Sequence, residues 1–267
     1  MTKKEELHIA VYQQDIVWEN PEANYVKVER AFGGLQPSEL DVMVVPETFN
    51  TGFGDHMVRQ AEKPFDGPTF LFARQMAEKY DAMFVGTWTV LEEGKVFNRL
   101  HMVCPDGGCW TYDKAHTFRM SSEASQLERG KLRVTAEWRG WRFRPAVCYD
   151  LRFPIWLRNT ADFDYDIFIV CANWPGSRHE AWSTLLKARA IENLSYAIGC
   201  NRVGRDSTGI DYAGCSAIVD YKGLWMSHAE PSLDADNPCE PLLRATLNAE
   251  KLDTFRQHWP FNLDFDN

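Results

Sequence analysis

The sequence predicts an α/β fold built on a mixed sheet, and three features lead to this prediction. Two continuous apolar runs, residues 41–47 and 166–172, are typical of strands that are buried on both faces. Predicted strands alternate with predicted helices along the chain, which favours helices packed over the faces of a sheet. Hairpin signals between residues 82 and 112, including the turn at Glu93 and Gly94, argue against an all-parallel sheet.

Hydrophobic periodicity gives the remaining elements in order. Besides the two apolar runs, the predicted strands are residues 7–14, 82–91, 95–104, 109–112, 196–200, 216–221 and 241–247, and a short approach that ends at Cys148. The predicted helices are residues 21–35, 68–80, 155–160, 177–194 and 249–257. A chain of 267 residues with this pattern is expected to form a single domain.

Composition narrows the possible partners. Hydrophobic residues make up 45% and charged residues 25% of the chain, which is ordinary for a soluble globular protein. The formal net charge of −9 disfavours nucleic acid and anionic membranes, but a local basic pocket can still bind a small anion. The first residues lack the apolar core of a signal peptide, and seven cysteines, an odd number, fit a reducing compartment. We therefore expect a cytoplasmic protein.

Cys148 lies where a predicted strand meets a sharp turn. The apolar character stops at Asp150, and a helix is expected to begin near Pro154. A side chain at such a turn projects above the sheet, and the backbone N–H of Tyr149 points toward the same space, as in a nucleophile elbow. Pro145 weakens the strand prediction because it cannot donate to a ladder. The alternative is that Cys148 is a small buried hydrophobic residue.

Glu47 and Lys114 also follow predicted strands. Strand ends that lie side by side in one sheet bring distant residues within hydrogen-bonding reach, and we expect Glu47, Lys114 and Cys148 to meet in this way. A base, a cation and a thiol together favour nucleophilic catalysis, since a neutral thiol needs a neighbouring base to become reactive. Alternatively, the two charged residues are solvated loop charges or a structural ion pair.

Three motifs resemble those of the nitrilase, or carbon–nitrogen hydrolase, superfamily. They are Val-Pro-Glu-Thr-Phe at 45–49, Tyr-Asp-Lys-Ala-His-Thr-Phe at 112–118 and Val-Cys-Tyr-Asp-Leu-Arg-Phe-Pro at 147–154. The similarity covers residues 7–247 and leaves 248–267 as a C-terminal extension. Within the superfamily the chain is most similar to bacterial ω-amidases, through stretches such as His-Thr-Phe-Arg-Met at 116–120 and Ala-Asn-Trp-Pro at 172–175.

The resemblance implies a four-layer α-β-β-α sandwich that forms a homodimer through helices beside the elbow. It also implies a Glu47–Lys114–Cys148 triad that needs neither a metal nor an organic cofactor. Glu123 matches a second, supporting glutamate, although it can also be interpreted as an exposed loop acid. The implied reaction hydrolyses the terminal amide of an α-keto acid. Alternatively, the same residues act on another substrate, such as a nitrile or an N-carbamoyl compound. A further alternative is a non-catalytic interaction module with this fold.

The carboxylate of such a substrate needs a cation. Arg119, Arg152 and Arg178 are candidates, because a guanidinium binds a carboxylate with two parallel hydrogen bonds. Arg152 can equally be a structural brace for the elbow. Phe118 and Trp174 are candidates for the pocket walls, although a tryptophan is often a packing residue. His101, Cys104 and Cys109 form a weak candidate metal cluster with poor spacing, and His116 is interpreted as a packing or supporting residue.

Overall fold

The structure is a computed structural model that describes residues 2–265. The last two residues of the expected C-terminal extension, 266 and 267, therefore lie outside the described residues. The strands of the described chain, numbered in order, are β1 Glu6–Tyr12, β2 Val42–Val44, β3 Met83–Glu92, β4 Lys95–Val103, β5 Cys109–Asp113, β6 Ala136–Trp138, β7 Trp141–Val147, β8 Ile167–Ala172, β9 Tyr196–Asn201, β10 Val203–Arg205, β11 Asp211–Ala213, β12 Ala217–Val219, β13 Trp225–His228 and β14 Leu242–Asn248. The α-helices are α1 Pro21–Phe32, α2 Pro68–Tyr80, α3 Glu123–Gln126, α4 Pro154–Leu157, α5 His179–Asn193 and α6 Ala249–His258.

The strands form two six-stranded mixed sheets and one separate hairpin. Sheet one has the order β14-β1-β2-β3-β4-β5, and sheet two has the order β13-β12-β9-β8-β7-β6. In sheet one β1, β2 and β3 are parallel, and β4 and β5 follow as antiparallel neighbours. Since two successive reversals restore the direction, β5 runs parallel to β2. In sheet two β7, β8 and β9 are parallel.

The buried side chains form three large clusters that define four layers. One cluster joins the facing sides of the two sheets and includes Val44 of β2 and Val147 of β7. A second packs α1 and α2 on the outer side of sheet one, and a third packs α5 on the outer side of sheet two. The arrangement is the α-β-β-α sandwich that the resemblance implied. In α6, Leu252 reaches the central cluster, so the first part of the expected extension contributes to the core.

The local differences from the predicted elements have physical causes. Strands β6, β10, β11 and β13 are three or four residues long, too short to give a clear alternating pattern. Pro145 is tolerated inside β7 because β6 pairs with β7 only as far as Phe143. The Pro145 nitrogen points to the same side of β7 as the N–H of Val147. That N–H bonds to the side chain of Asp150 and not to a neighbouring strand. No helix within residues 2–265 is long and apolar enough to cross a membrane.

Candidate active site

The three predicted catalytic residues meet at one end of the sandwich, but they come from two sheets. Glu47 follows β2 and Lys114 follows β5, two parallel strands of sheet one that β3 and β4 separate. Cys148 follows β7 of sheet two. The expectation that all three leave one sheet is therefore wrong. The residues converge because the sheets pack face to face with these strand ends at the same end of the molecule.

Glu47 is fully buried, and each of its carboxylate oxygens has a donor. Its Oε1 accepts hydrogen bonds from Lys114 Nζ at 2.9 Å and from Asn98 Nδ2 at 2.8 Å. Its Oε2 accepts from the backbone N–H of Asn173 at 2.7 Å. Asn173 follows β8 of sheet two, and its Nδ2 also donates to the Glu47 carbonyl at 2.6 Å. These bonds connect the two sheets and fix the carboxylate.

Lys114 is buried between two carboxylates. Its Nζ lies 2.9 Å from Glu47 Oε1 and 2.9 Å from each carboxylate oxygen of Glu123. Glu123 is itself fully buried at the start of α3, and its Oε2 accepts from the backbone N–H of Phe118 at 2.6 Å. The interpretation of Glu123 as an exposed loop acid is wrong. Its one-turn helix directs the side chain inward.

Cys148 opens a 3-10 turn, Cys148–Arg152, directly after β7. Its φ of 42° lies in the left-handed region, which a residue with a Cβ adopts at a cost. This backbone geometry turns the half-buried side chain away from the strand. The structure therefore contains the sharp strand-to-turn connection expected of a nucleophile elbow.

Asp150 holds this turn in place, a role that the sequence did not indicate. Its Oδ2 accepts from the N–H of Val147 at 3.0 Å and from the hydroxyl of Tyr112 at 2.8 Å. Its Oδ1 accepts from the N–H of His116 at 2.9 Å and lies 2.7 Å from His116 Nδ1. Tyr112 and His116 flank Lys114, so Asp150 connects the turn of Cys148 to the strand end of Lys114. His116 is a supporting residue, as expected, and stacks on Phe153 at 3.9 Å.

Burial and neighbouring charges shift the pKa values of the site. Burial raises the pKa of the Cys148 thiol well above its usual value, the Glu47 carboxylate raises it further, and Lys114 acts in the opposite direction. Burial alone would lower the pKa of Lys114, but the carboxylates of Glu123 and Glu47 outweigh it and raise that pKa. Burial also raises the pKa of Glu123, against the opposing effect of Lys114. The resting thiol is therefore protonated and needs a base to become a nucleophile.

A cavity of about 460 Å³ opens over Cys148 and Lys114. Phe118, Tyr149 and Trp174 form part of its wall, in agreement with the positions expected for Phe118 and Trp174. The sequence did not indicate a further part of the wall. It comes from two loops after β1 and β2 and from the β10–β11 hairpin, and its residues include Trp18, Phe53, His56, Asp206, Thr208, Ile210 and Tyr212.

Two of the three candidate arginines line this cavity. The guanidinium of Arg152 lies over the Trp174 ring at 4.7 Å, and that of Arg178 lies over the Phe118 ring at 5.8 Å. Among residues 2–265, no carboxylate lies within salt-bridge distance of either guanidinium. Arg59, which also lines the cavity, is instead paired with Glu19.

Arg119 does not line the cavity. Its side chain is exposed to solvent, because Phe118 beside it occupies the inward position. The expectation that Arg119 binds the substrate in this cavity is therefore wrong. The candidate metal cluster of His101, Cys104 and Cys109 also fails to assemble, since no group of three potential ligands in the described chain could hold a metal ion. His101 instead stacks on Trp88 at 3.7 Å.

Comparison with known proteins agrees with this geometry. The carbon–nitrogen hydrolase family model matches residues 8–257. The chain is 40% identical over 260 residues to the omega-amidase YafV of Yersinia enterocolitica, covering 97% of each protein. It is 29% identical over 254 residues to a 2-oxoglutaramate amidase of Bacillus subtilis, covering 94% of this chain and 95% of the relative.

A solved structure gives the same result at the level of the fold. A CN-hydrolase superfamily protein from Xanthomonas campestris, which carries an arsenic adduct in its active site, superposes with a TM-score of 0.93 at 37% identity. The match covers 99% of this chain and 98% of the other. These findings confirm the resemblance that the motifs indicated. The chain belongs to the carbon–nitrogen hydrolase family of the nitrilase superfamily and is a hydrolase of carbon–nitrogen bonds.

Proposed function

We propose that the protein hydrolyses the terminal amide of a small carboxylate-bearing substrate, an α-keto acid ω-amide, to the acid and ammonia through a thioester on Cys148. The observation that carries the proposal is the cavity itself. It has Cys148 and Lys114 among its lining residues and the two unpaired guanidiniums of Arg152 and Arg178 in its wall. The names of the relatives, omega-amidase and 2-oxoglutaramate amidase, support the same substrate class.

In the first half of the reaction, Glu47 takes the thiol proton while Cys148 Sγ attacks the amide carbonyl carbon. The charge of Glu47 raises the pKa of the Cys148 thiol, as expected of a carboxylate close enough to take its proton. Negative charge collects on the carbonyl oxygen, where Lys114 and the backbone N–H of Tyr149 stabilise it. Losing one such donor costs about 3–4 kcal/mol. Glu47 then gives its proton to the departing nitrogen, the C–N bond breaks, and ammonia leaves the thioester.

In the second half, Glu47 removes a proton from a water molecule that attacks the thioester carbonyl. The C–S bond breaks, the thiolate takes the proton back, and the acid leaves. Lys114 and Glu123 remain charged throughout. Glu123 contacts the ammonium with both of its carboxylate oxygens, so Lys114 is shared between Glu123 and Glu47 and is not paired with the base alone.

The carboxylate of the substrate binds to Arg152, and Arg178 contributes positive charge at the same wall. An arginine committed to a structural role has an acceptor within reach. Arg189, for example, donates to Glu192 at 2.8 Å and to the carbonyl of Leu151. Arg152 has only the face of Trp174 as a partner among the described residues. This supports a role in ligand binding over a role as a brace for the elbow.

A panel of amides with ammonia release as the readout tests the substrate class. We expect 2-oxoglutaramate and 2-oxosuccinamate to be hydrolysed with a higher kcat/KM than amides of the same length without a carboxylate. Nitriles and N-carbamoyl compounds in the same panel test the alternative substrates. Equal kcat/KM values for the charged and uncharged amides, or a preference for nitriles, would remove the basis for the proposed substrate.

We further propose that the enzyme is a cytoplasmic homodimer that associates through α4 and α5 beside the elbow. Ile155 on α4 and Ile191 on α5 are 82% and 51% exposed, which supports a contact surface on these helices. The seven cysteines are free thiols, which supports a reducing compartment. Light scattering should give twice the chain mass of 30.8 kDa, and a mass equal to that of one chain would contradict the dimer.

A further inference from the structure

Asn98 is a buried polar residue in the middle of the active-site hydrogen-bond network. It lies in β4 and has 1% of its surface exposed. Its Nδ2 lies 2.8 Å from Glu47 Oε1 and 3.0 Å from Glu123 Oε1. An amide nitrogen carries two hydrogens, so this nitrogen gives one hydrogen to each carboxylate. Asn98 therefore joins the base directly to the supporting glutamate.

The oxygen of the Asn98 side-chain amide indicates that this residue serves the site and not the stability of the fold. Asn98 Oδ1 is buried and has no hydrogen-bonding partner among residues 2–265. A buried unpaired acceptor reduces stability, and an apolar residue would avoid this cost. Rotation of the amide by 180° would not help, because it would place the oxygen against two carboxylates. The orientation is therefore fixed by Glu47 and Glu123.

The charges around Asn98 explain why a neutral donor suits this position. Glu47 and Glu123 share the single ammonium of Lys114, so the buried group has one negative charge in excess. Burial and the charge of Glu47 both raise the pKa of Glu123, while the hydrogen bond from Asn98 lowers it. Asn98 stabilises both ionised carboxylates without adding a charge. The thiol of Cys148 is the other titratable group that faces Glu47, Glu123 and Lys114.

The backbone of Asn98 takes part in the same arrangement. Its carbonyl accepts a hydrogen bond from the N–H of Lys114 at 3.0 Å, directly after the last paired residues of β4 and β5, Arg99 and Asp113. One residue thus contacts Glu47, Glu123 and Lys114. A side chain at this position has direct access to the base that the proposed reaction uses.

We infer that Asn98 is a positioning residue that keeps Glu47 and Glu123 ionised and holds the Glu47 carboxylate in its reactive orientation. The inference rests on the proposed function, because it takes Glu47 to be the general base. Asn98 does not touch the substrate. It acts through Glu47, so its loss should change kcat and the pH dependence of the reaction and leave KM unchanged.

The test uses Asn98→Ala and Asn98→Asp in the full chain. Without the amide donors a proton binds the carboxylates more readily, so the base is lost at a higher pH. For Asn98→Ala we expect kcat to fall about 10- to 100-fold. Loss of a side chain that orients a metal-binding residue has an effect of this size on activity, and Asn98 orients Glu47 in the same way. The acid limb of the kcat profile should move up by about one pH unit. Asn98→Asp, which adds a third carboxyl group, should move it further.

A second readout does not need a substrate. The rate at which iodoacetamide alkylates Cys148, followed by peptide mass spectrometry, should show the same upward shift of its acid limb in both variants. Asn159→Ala is the matched control, since Asn159 is a buried asparagine that bonds to Tyr165 and Asn193. It should lower the melting temperature and leave both pH profiles in place.

Two outcomes would overturn the inference in distinguishable ways. If Glu47→Gln moves the alkylation profile but Asn98→Ala does not, Asn98 is only a structural residue and the proposed base stands. If Glu47→Gln leaves the alkylation profile of Cys148 unchanged, the proposed function itself has the wrong base, and the role of Asn98 falls with it. Melting temperatures of all the variants establish that each comparison is made on folded protein.

Discussion

The Cys148 thiol is half-buried and the Glu47 carboxylate beside it is fully buried, and burial affects how the thiol can react. A thiol whose pKa is raised well above its usual value is almost entirely protonated near neutral pH. In the proposed reaction the nucleophile is therefore generated during the attack, when Glu47 accepts the proton. The carboxylates of Glu123 and Glu47 raise the pKa of Lys114 and so favour its charged form. It acts as a fixed charge rather than as an acid.

Residues at strand ends could be predicted, and residues defined by long-range contacts could not. Glu47, Lys114 and Cys148 each follow a strand that the apolar pattern reveals. Asn173 gains its role from a hydrogen bond to Glu47, 126 positions away. A local pattern holds no information on such a contact. Asn98 also carried no distinct signal, since Lys95, Arg99 and His101 are polar residues of the same strand.

In the proposed function, recognition of the substrate carboxylate depends on Arg152. For Arg152→Gln we expect kcat/KM for 2-oxoglutaramate to fall roughly 5- to 30-fold, equivalent to about 1–2 kcal/mol for a solvent-accessible charged hydrogen bond. Because the loss affects binding, KM should rise more than kcat falls. Steady-state kinetics on the charged and uncharged amides measures both values.

Arg119→Gln is the matched control for Arg152→Gln, since Arg119 is an exposed arginine outside the cavity. It should leave kcat and KM at the wild-type values. An equal loss of activity toward charged and uncharged amides in Arg152→Gln would mean that Arg152 braces the elbow instead of binding a carboxylate.

At the scale of elements, the turn after β7 depends on a carboxylate that sequence reasoning did not single out. Asp150 receives donors from Val147, Tyr112 and His116, and all of them need an acceptor. In Asp150→Asn, whichever position the amide nitrogen takes, it faces another donor. We expect the free energy of unfolding to fall by about 2–3 kcal/mol, since two charge-assisted hydrogen bonds are lost. The turn that presents Cys148 should also loosen.

Urea denaturation and kcat measure the two effects of Asp150→Asn separately. Asp162→Asn, at an exposed position, is the control and should change neither value. If Asp150→Asn kept both wild-type stability and wild-type kcat, the turn would owe its geometry to something other than this carboxylate.

Helices and strands with long patterned runs were predicted correctly, and strands of only three or four residues were missed. Helix α5 was predicted as residues 177–194 and is His179–Asn193, and the β3–β4 hairpin turns at Glu93 and Gly94 as expected. The β10–β11 hairpin was not predicted because its strands have three residues each. It nevertheless supplies one wall of the cavity, since the turn between its strands carries Asp206 and Thr208.

At the scale of the whole molecule, the active site is a product of sheet packing. Neither sheet carries all three of Glu47, Lys114 and Cys148, and the hydrogen bonds between Asn173 and Glu47 connect the two sheets. The sequence could predict an α/β chain and, through its motifs, a sandwich. The single-sheet expectation failed because apolar runs identify strands but not the sheet that each strand joins.

In the proposed reaction Cys148 carries the acyl group as a thioester, and this adduct can be trapped. The enzyme is mixed with 2-oxoglutaramate, quenched in acid and analysed by intact-mass and peptide mass spectrometry. We expect an acyl adduct on the peptide that contains Cys148, and neither an adduct nor ammonia release in Cys148→Ala. Ammonia release that persists in Cys148→Ala, with no adduct on the wild-type enzyme, would show that the reaction does not pass through Cys148.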